Sequence, residues 1–135
     1  MALQLIAWLI TLMASSLYFS SPPSDYVGTW QLDAFRCSEI YEFHEDGSLT
    51  IRSRDEVTHH LWSIYPARMG NGISKRWDVL ELITLSDNGQ PDCAGSTHDN
   101  SGNRDIIKVS LSLNHRSLLH CNRNSTDCWS LHRIN

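Results

Sequence analysis

The amino-acid sequence predicts an all-β fold, a single antiparallel eight-stranded barrel preceded by an N-terminal hydrophobic helix. Apolar and polar residues alternate through much of the chain after Tyr26, short polar turns separate the alternating runs, and helical periodicity is absent beyond Phe19. Alternation with a period of two is the pattern of half-buried strands. Eight short antiparallel strands leave unpaired edges, and closing the sheet into a barrel removes them. A two-sheet sandwich is the alternative arrangement.

The N-terminal segment is apolar enough to enter a membrane. Residues 2–19 carry no charged side chain, and a helix of that length covers most of a hydrocarbon core about 30 Å thick. Two interpretations are open: a membrane anchor that stays, which we prefer, and a secretory signal that is removed. Both place the rest of the chain in the periplasm or outside the cell. We assign residues 1–20 to the anchor or signal, 21–25 to a linker and 26–135 to an exported barrel domain.

The individual strands follow from the same alternation. The clearest run places Ile107, Val109, Leu111 and Leu113 on one face. Other runs cover residues 38–44, 49–54, 58–65, 77–85 and 129–133. Polar turns are expected at residues 45–48, 114–117 and 122–125. Two loops are longer, residues 66–76 and the twenty residues 86–105, and loops of the latter length are often functional or mobile.

Four cysteines in a small exported domain predict two disulfides. Cys121 and Cys128 flank a polar stretch between two apolar runs, so they could close across a hairpin, and Cys37 would then pair with Cys93. Two other connectivities are allowed, and buried free thiols are a further alternative. No C-x-x-C motif occurs, which argues against zinc and haem binding.

A family resemblance rests on three short motifs. Gly28-Thr29-Trp30, at the start of the first strand, resembles the G-x-W signature of lipocalins. The stretch from Phe43 to Ile51, and Trp62-Ser63-Ile64, are similar to a hairpin and the fourth strand of small bacterial lipocalin-like domains. The resemblance implies an up-and-down eight-stranded barrel that is closed at one end by the tryptophan and binds an apolar small molecule at the other. Gly28 and Trp30 carry over in a structural role, and Arg133 is the basic residue available to cover Trp30. The chain departs from the family in lacking its C-terminal helix and its T-D-Y-like motif.

Charge and motifs argue against several functions. The net charge of −4 disfavours a nucleic-acid partner, because such binding depends on basic residues. No nucleophile elbow, P-loop or H-E-x-x-H motif occurs, so we expect no enzyme activity and no catalytic residue. Adjacent His59 and His60 would point to opposite faces of a strand, and we expect no metal site and no cofactor. His120 and His132 are expected at the surface or at an interface.

Three functions stay open from the sequence. The preferred hypothesis is a non-enzymatic, membrane-anchored extracytoplasmic β-domain, held by residues 2–19, that acts as an accessory subunit or binding module of a membrane complex. The alternative is a soluble secreted lipocalin-like carrier of a small apolar ligand. Five side chains would line its interior: Trp30, Phe43, Trp62, Val109 and Leu111. The third hypothesis is an extracytoplasmic inhibitor or immunity protein whose basic loop, carrying Arg68, Lys75 and Arg76, contacts a protein partner.

Overall fold

The computed structural model describes residues 23–33, 37–66 and 77–135. The predicted N-terminal helix, the membrane contact over residues 2–19 and the basic residues Arg68, Lys75 and Arg76 all lie outside the described residues. Within the described ranges, no helix is long and apolar enough to span a bilayer.

Eight strands form the described part of the chain. They are β1 (Gly28–Asp33), β2 (Ser38–Phe43), β3 (Ser48–Ser53), β4 (Glu56–Pro66), β5 (Asp78–Asp87), β6 (Arg104–Leu111), β7 (Ser117–Cys121) and β8 (Cys128–Arg133). Each strand pairs antiparallel with the next, and β8 pairs with β1, so the sheet closes into a barrel in simple chain order. The prediction of an all-β, antiparallel eight-stranded barrel is confirmed, and the sandwich alternative is wrong.

The two ends of the barrel differ in their connections, because successive strands run in opposite directions. The tryptophan end contains the start of β1, the β2–β3 and β6–β7 turns and the end of β8. The disulfide end contains the start of β2, the β3–β4 turn, the β5–β6 loop and the β7–β8 turn. Both disulfides lie at this second end: Cys37 is bonded to Cys93 and Cys121 to Cys128, which is the pairing expected from the hairpin argument.

Strand register determines which side chains fill the barrel. Trp30 of β1 lies opposite Tyr41 of β2, which lies opposite Ile51 of β3, and these inward positions alternate with outward polar ones. The resulting core consists of eleven buried residues: Tyr26, Trp30, Tyr41, Phe43, Leu49, Trp62, Leu80, Leu82, Val109, Leu118 and Leu131. The alternation placed Leu113 on the same face as Val109, and this prediction is wrong. It follows the end of β6 and is fully exposed, because the strand gives way to a turn at residue 112.

The β5–β6 loop is shorter and better held than its composition suggests. β5 extends to Asp87 and β6 starts at Arg104, so the loop covers residues 88–103. The Asp87 carboxylate accepts hydrogen bonds from the backbone N–H groups of Gly89 at 2.8 Å and Asn100 at 3.0 Å. The Asp92 carboxylate accepts two more, from Ala94 and Ser96. The side chains of Asp87 and Asp92 therefore hold the loop backbone in place through hydrogen bonds to its N–H groups.

Candidate ligand-binding site in the barrel interior

The tryptophan end is closed by a stack of Trp30 and Arg133. The Arg133 guanidinium lies 4.2 Å from the centre of the Trp30 ring. It also donates hydrogen bonds to the carbonyl oxygens of Val27, at 2.7 Å, and His115, at 2.9 Å. The indole N–H of Trp30 donates to the Tyr26 carbonyl at 2.9 Å. The segment before β1, the β6–β7 turn and β8 are thus joined over one buried aromatic ring.

The five side chains predicted to line the interior all lie inside the barrel, where they pack against one another. Trp30, Phe43, Trp62 and Val109 are buried, and Leu111 is partly buried against the core. Phe43 meets Trp62 edge to face with ring centres 5.0 Å apart. The Trp62 indole N–H donates to the carbonyl oxygen of Ser48 at 3.0 Å. These contacts are those of a packed core, and none of them leaves a polar atom of the five unsatisfied.

A different interior residue does carry unsatisfied polar atoms. His120 of β7 lies opposite Val109 and Trp129 in the sheet register and is 1% exposed. Among the described residues, neither ring nitrogen of His120 has a hydrogen-bond partner, and neither does the buried indole nitrogen of Trp129. The expectation that His120 lies at the surface is wrong, because it shares its inward face with Leu118. His132 is exposed as expected.

Two aromatic rings flank His120. The ring centre of His120 lies 5.8 Å from that of Trp129 and 5.9 Å from that of Tyr41, both with tilted, edge-type geometry. Burial lowers the pKa of His120 to about 4, so the imidazole is neutral at neutral pH. A neutral imidazole offers one N–H donor and one acceptor nitrogen. Together with the Trp129 N–H, the site presents two donors and one acceptor in an apolar, aromatic setting.

These orphaned atoms are energetically costly. A buried polar group without a partner costs about 1–3 kcal/mol, and buried side-chain polar atoms in folded proteins usually have a partner in protein, water or ligand. Three such atoms on two adjacent strands define the candidate site, which we call the His120 site: Tyr41, His120 and Trp129.

A line of polar contacts leads from the His120 site to the disulfide end. The Tyr41 hydroxyl donates to Glu39 Oε2 at 3.0 Å, and the Ser53 hydroxyl donates to Glu39 Oε1 at 2.8 Å. Ser53 Oγ in turn accepts the backbone N–H of Cys93 at 3.0 Å. Burial, followed by the nearby Glu39 carboxylate, raises the pKa of Tyr41. The tyrosine therefore stays protonated and acts as a donor.

A second buried histidine, His60, has hydrogen-bond partners for both ring nitrogens. The His60 ring nitrogens lie 2.8 Å from Thr58 Oγ1 and 3.1 Å from Thr84 Oγ1. Burial lowers the pKa of His60, so it is a neutral, hydrogen-bonded core histidine. The contrast with His120 shows that this barrel provides partners for one buried histidine and leaves the other without any described partner.

Two further features of the described residues bear on ligand and metal binding. A surface groove of about 480 Å³ lies outside the tryptophan end and is lined by Ser24, Asp25, Asn114, His115, Arg116 and Arg133. It is open to solvent, and one of its two arginines, Arg133, is engaged by backbone carbonyls. Within residues 23–33, 37–66 and 77–135, no three His, Cys, Asp or Glu side chains are grouped so that they could hold a metal ion.

Sequence reasoning missed His120 and Trp129 as site residues. The available signal was the alternation in β7, where His120 lies two positions after the apolar Leu118 and one before Cys121. Comparison of the chain with protein-family models, with curated proteins and with solved structures found no match.

Proposed function

We propose that this chain is an exported, lipocalin-like binding protein whose barrel holds a small uncharged molecule at the His120 site. The observation that carries the proposal is the set of three buried nitrogens of His120 and Trp129 without a described partner. A bound molecule with a carbonyl or hydroxyl group would satisfy them, since it can accept from the Trp129 N–H and donate to or accept from the neutral imidazole.

The surroundings support an uncharged and mainly apolar ligand. His120 is flanked by aromatic rings and lies opposite Val109 in the register. Its low pKa has burial as its only cause, with no contribution from a charged neighbour. An ionic group placed there would lose its hydration without gaining a counter-charge.

The closed tryptophan end supports the lipocalin-like interpretation. The motif residue Trp30 is buried at that end, Arg133 stacks over it, and the strands follow one another in up-and-down order. The interior of an eight-stranded barrel is just wide enough to be filled by side chains or to hold one small ligand. Ligand exchange would then take place at the opposite, disulfide end.

The proposal is tested with N-phenyl-1-naphthylamine, an uncharged aromatic probe with one N–H group, added to the purified protein. We expect saturable one-to-one binding, seen as a rise in probe fluorescence. His120→Leu keeps the bulk of the side chain and removes both nitrogens, so it should weaken binding about tenfold, the value of one buried hydrogen bond.

His132→Leu is the matched control, because it changes an exposed histidine on the neighbouring strand. It should leave probe affinity unchanged. The absence of saturable binding to the wild-type protein, or equal affinities for the two variants, would contradict a ligand site at His120.

Export and membrane anchoring belong to the same proposal and rest on residues 1–20. Two disulfides support an oxidising compartment. The intact mass of the protein recovered from membranes separates the two hypotheses: a full-length chain supports an anchored binding module, and loss of the apolar segment supports a secreted carrier. The basic residues Arg68, Lys75 and Arg76 stay a predicted partner contact, and pull-down with all three neutralised tests them.

A further inference from the structure

The tryptophan end of the barrel presents apolar side chains to solvent on two neighbouring connections. Leu113, in the β6–β7 turn, is fully exposed, and Ile134, directly after β8, is 48% exposed. The two connections adjoin, because the backbone N–H of Arg133 donates to the Arg116 carbonyl at 2.9 Å. Arg116 is itself exposed. We call Leu113, Arg116 and Ile134 the rim patch.

The turn that presents Leu113 and Arg116 is held by its own polar groups. Asn114 Oδ1 accepts the backbone N–H of Arg116 at 3.1 Å, and Ser112 Oγ accepts that of Ser117 at 3.0 Å. Side chains that bond the backbone in this way fix the shape of a turn. The exposure of Leu113 is therefore a property of an ordered turn.

The segment that enters β1 is fixed beside this turn. The Arg133 guanidinium donates hydrogen bonds to the carbonyl oxygens of Asp25, Val27 and His115. His115 Nδ1 also lies 3.5 Å from Asp25 Oδ1. The chain at Asp25 consequently has a defined position next to the β6–β7 turn, and the rest of the N-terminal chain leaves the barrel from there.

A short connection links this position to the apolar N-terminal segment. Residues 2–19 carry no charged side chain, and Phe19 and Asp25 are six residues apart. Six residues span at most about 20 Å when fully extended. A membrane segment that ends at Phe19 therefore holds Asp25, and the turn beside it, within about 20 Å of the hydrocarbon core. The headgroup layer occupies about 5–8 Å of that distance.

We propose that the rim patch docks on the surface of the membrane that holds residues 2–19. The tryptophan end then faces the bilayer and the disulfide end faces the aqueous phase. Leu113 and Ile134 enter the headgroup layer, and Arg116 pairs with lipid phosphate. The inference rests on the anchored form of the proposed function and adds an orientation to it: ligand exchange at the disulfide end takes place with the aqueous phase.

Charge favours one side of the tryptophan end for this contact. The β2–β3 turn at the same end carries Glu45 and Asp46, both exposed, and lipid phosphates repel carboxylates. On the β6–β7 side, Arg116 forms no ion pair with any described residue, so its guanidinium is available to a phosphate. The barrel should therefore lean on β6–β8 and hold the β2–β3 turn toward water.

The full-length chain, reconstituted in vesicles of phosphatidylcholine and phosphatidylglycerol, tests the orientation. Leu113→Cys, Glu45→Cys and Asn124→Cys each receive a thiol-reactive nitrobenzoxadiazole fluorophore, and all four native cysteines are bonded. Lipids brominated in the acyl chains quench fluorophores that lie near the bilayer. The label at residue 113 should be quenched about threefold more than that at residue 124, because the six residues of β8 separate the two turns by about 20 Å. The label at residue 45 should be quenched less than that at residue 113.

A second comparison measures the contribution of the leucine itself, with the fluorophore on Ile134→Cys. Leu113→Glu should shift the docking equilibrium about tenfold toward the undocked state, the value of one leucine moved from lipid to water. Leu85→Glu is the matched control, because Leu85 is 56% exposed on the barrel wall, in β5 and outside the rim patch. It should leave the quenching unchanged.

Two results would overturn the docking. One is equal quenching of the labels at residues 113 and 124; the other is an equal effect of Leu113→Glu and Leu85→Glu. A full-length chain that does not float with the vesicles would reject it as well, since the tether is then absent.

The binding experiment on the His120 site is carried out without vesicles, so the two proposals fail separately. Unequal quenching without saturable binding of N-phenyl-1-naphthylamine rejects the ligand site and leaves the orientation. Saturable binding with equal quenching at the two turns rejects the orientation and leaves the ligand site.

Discussion

Gly28 lies directly against the guanidinium of Arg133, so closely that a β-carbon added to the glycine would be 2.5 Å from Arg133 Nη1. The same added atom would lie 3.1 Å from the Asn135 carbonyl, and Gly28 has φ +136°. Two physical reasons therefore favour glycine at this position of the G-x-W motif. Its backbone conformation disfavours any side chain, and Arg133, which stacks on Trp30, occupies the space that a side chain would need.

Gly28→Ala should lower the free energy of unfolding by about 2 kcal/mol or more, since backbone strain and displacement of Arg133 add together. Urea unfolding measures the change. Gly102→Ala is the matched control, because Gly102 also has positive φ but has nothing within 4 Å of the added carbon. If Gly102→Ala lowers the free energy of unfolding as much as Gly28→Ala does, backbone strain alone explains the loss and the contact with Arg133 contributes nothing.

Arg133→Met should cost about 1–3 kcal/mol of stability, because it removes the cation from the Trp30 ring and the donors to the Val27 and His115 carbonyls. Arg123→Met changes an exposed arginine in the β7–β8 turn and should be neutral. Chemical denaturation with tryptophan fluorescence follows both. Equal stability of the two variants would contradict the stacked role of Arg133.

The two disulfides should contribute unequally. Cys37 and Cys93 are 56 residues apart in sequence, and Cys121 and Cys128 only 7. Because a crosslink that closes a longer loop removes more entropy from the unfolded chain, loss of the first bond should cost about 4 kcal/mol and loss of the second about 2.5 kcal/mol. Double serine variants of each pair, unfolded in urea, give the comparison; the reverse order would contradict the loop-entropy account.

His120 should make stability depend on pH in a defined direction. Its folded pKa, lowered to about 4, lies below the ordinary value of 6.5. The contribution of neutral His120 to the free energy of unfolding is fully present above about pH 6.5 and is lost as pH falls through about 4. The loss amounts to about 2–3 kcal/mol. His120→Leu should therefore lose less stability than wild type between pH 7 and pH 4. Parallel curves for the two proteins would contradict a buried neutral histidine.

The raised pKa of Glu56 acts in the opposite direction, so the contributions of His120 and Glu56 are separated by variants. Burial, followed by nearby carboxylates, raises the pKa of Glu56 to about 7, so its contribution to folding stability is fully present below about pH 4.5 and is lost as pH rises through about 7. Repeating the His120 comparison in a Glu56→Gln background removes the second contribution. In that background, His120→Leu should still lose less stability between pH 7 and pH 4 than the protein that keeps His120.

Much of the barrel could be predicted because its cause is local. Alternation in β6 and the motif turn at Gly47, which has φ +83°, are properties of neighbouring residues, and period-two burial needs no distant partner to be recognised. The even cysteine count and the short spacing of Cys121 and Cys128 gave the pairing for a similar reason. Where a run of apolar residues continued past its strand, as at Leu113, the alternation was misleading because nothing in it marks the end of pairing.

The candidate site could not be predicted in the same way. His120 looks like any polar residue in a short strand, and its lack of partners depends on what Tyr41 and Trp129 do on other strands. Glu56 likewise looks like a turn residue beside Asp55. It is buried in the folded barrel, where its backbone N–H donates to the Pro91 carbonyl of the β5–β6 loop, far away in sequence.

The sequence by itself determined the alternating strands, their polar turns and an even set of cysteines, because side-chain alternation and turn chemistry act over a few residues at a time; closure of the sheet and the pairing of the cysteines were decided by the tertiary structure. The tertiary structure alone decided which polar groups are removed from water and which are given partners. Barrel closure brings β2, β7 and β8 around one interior, and the dielectric environment and hydrogen bonding of His120 exist only once those strands have met.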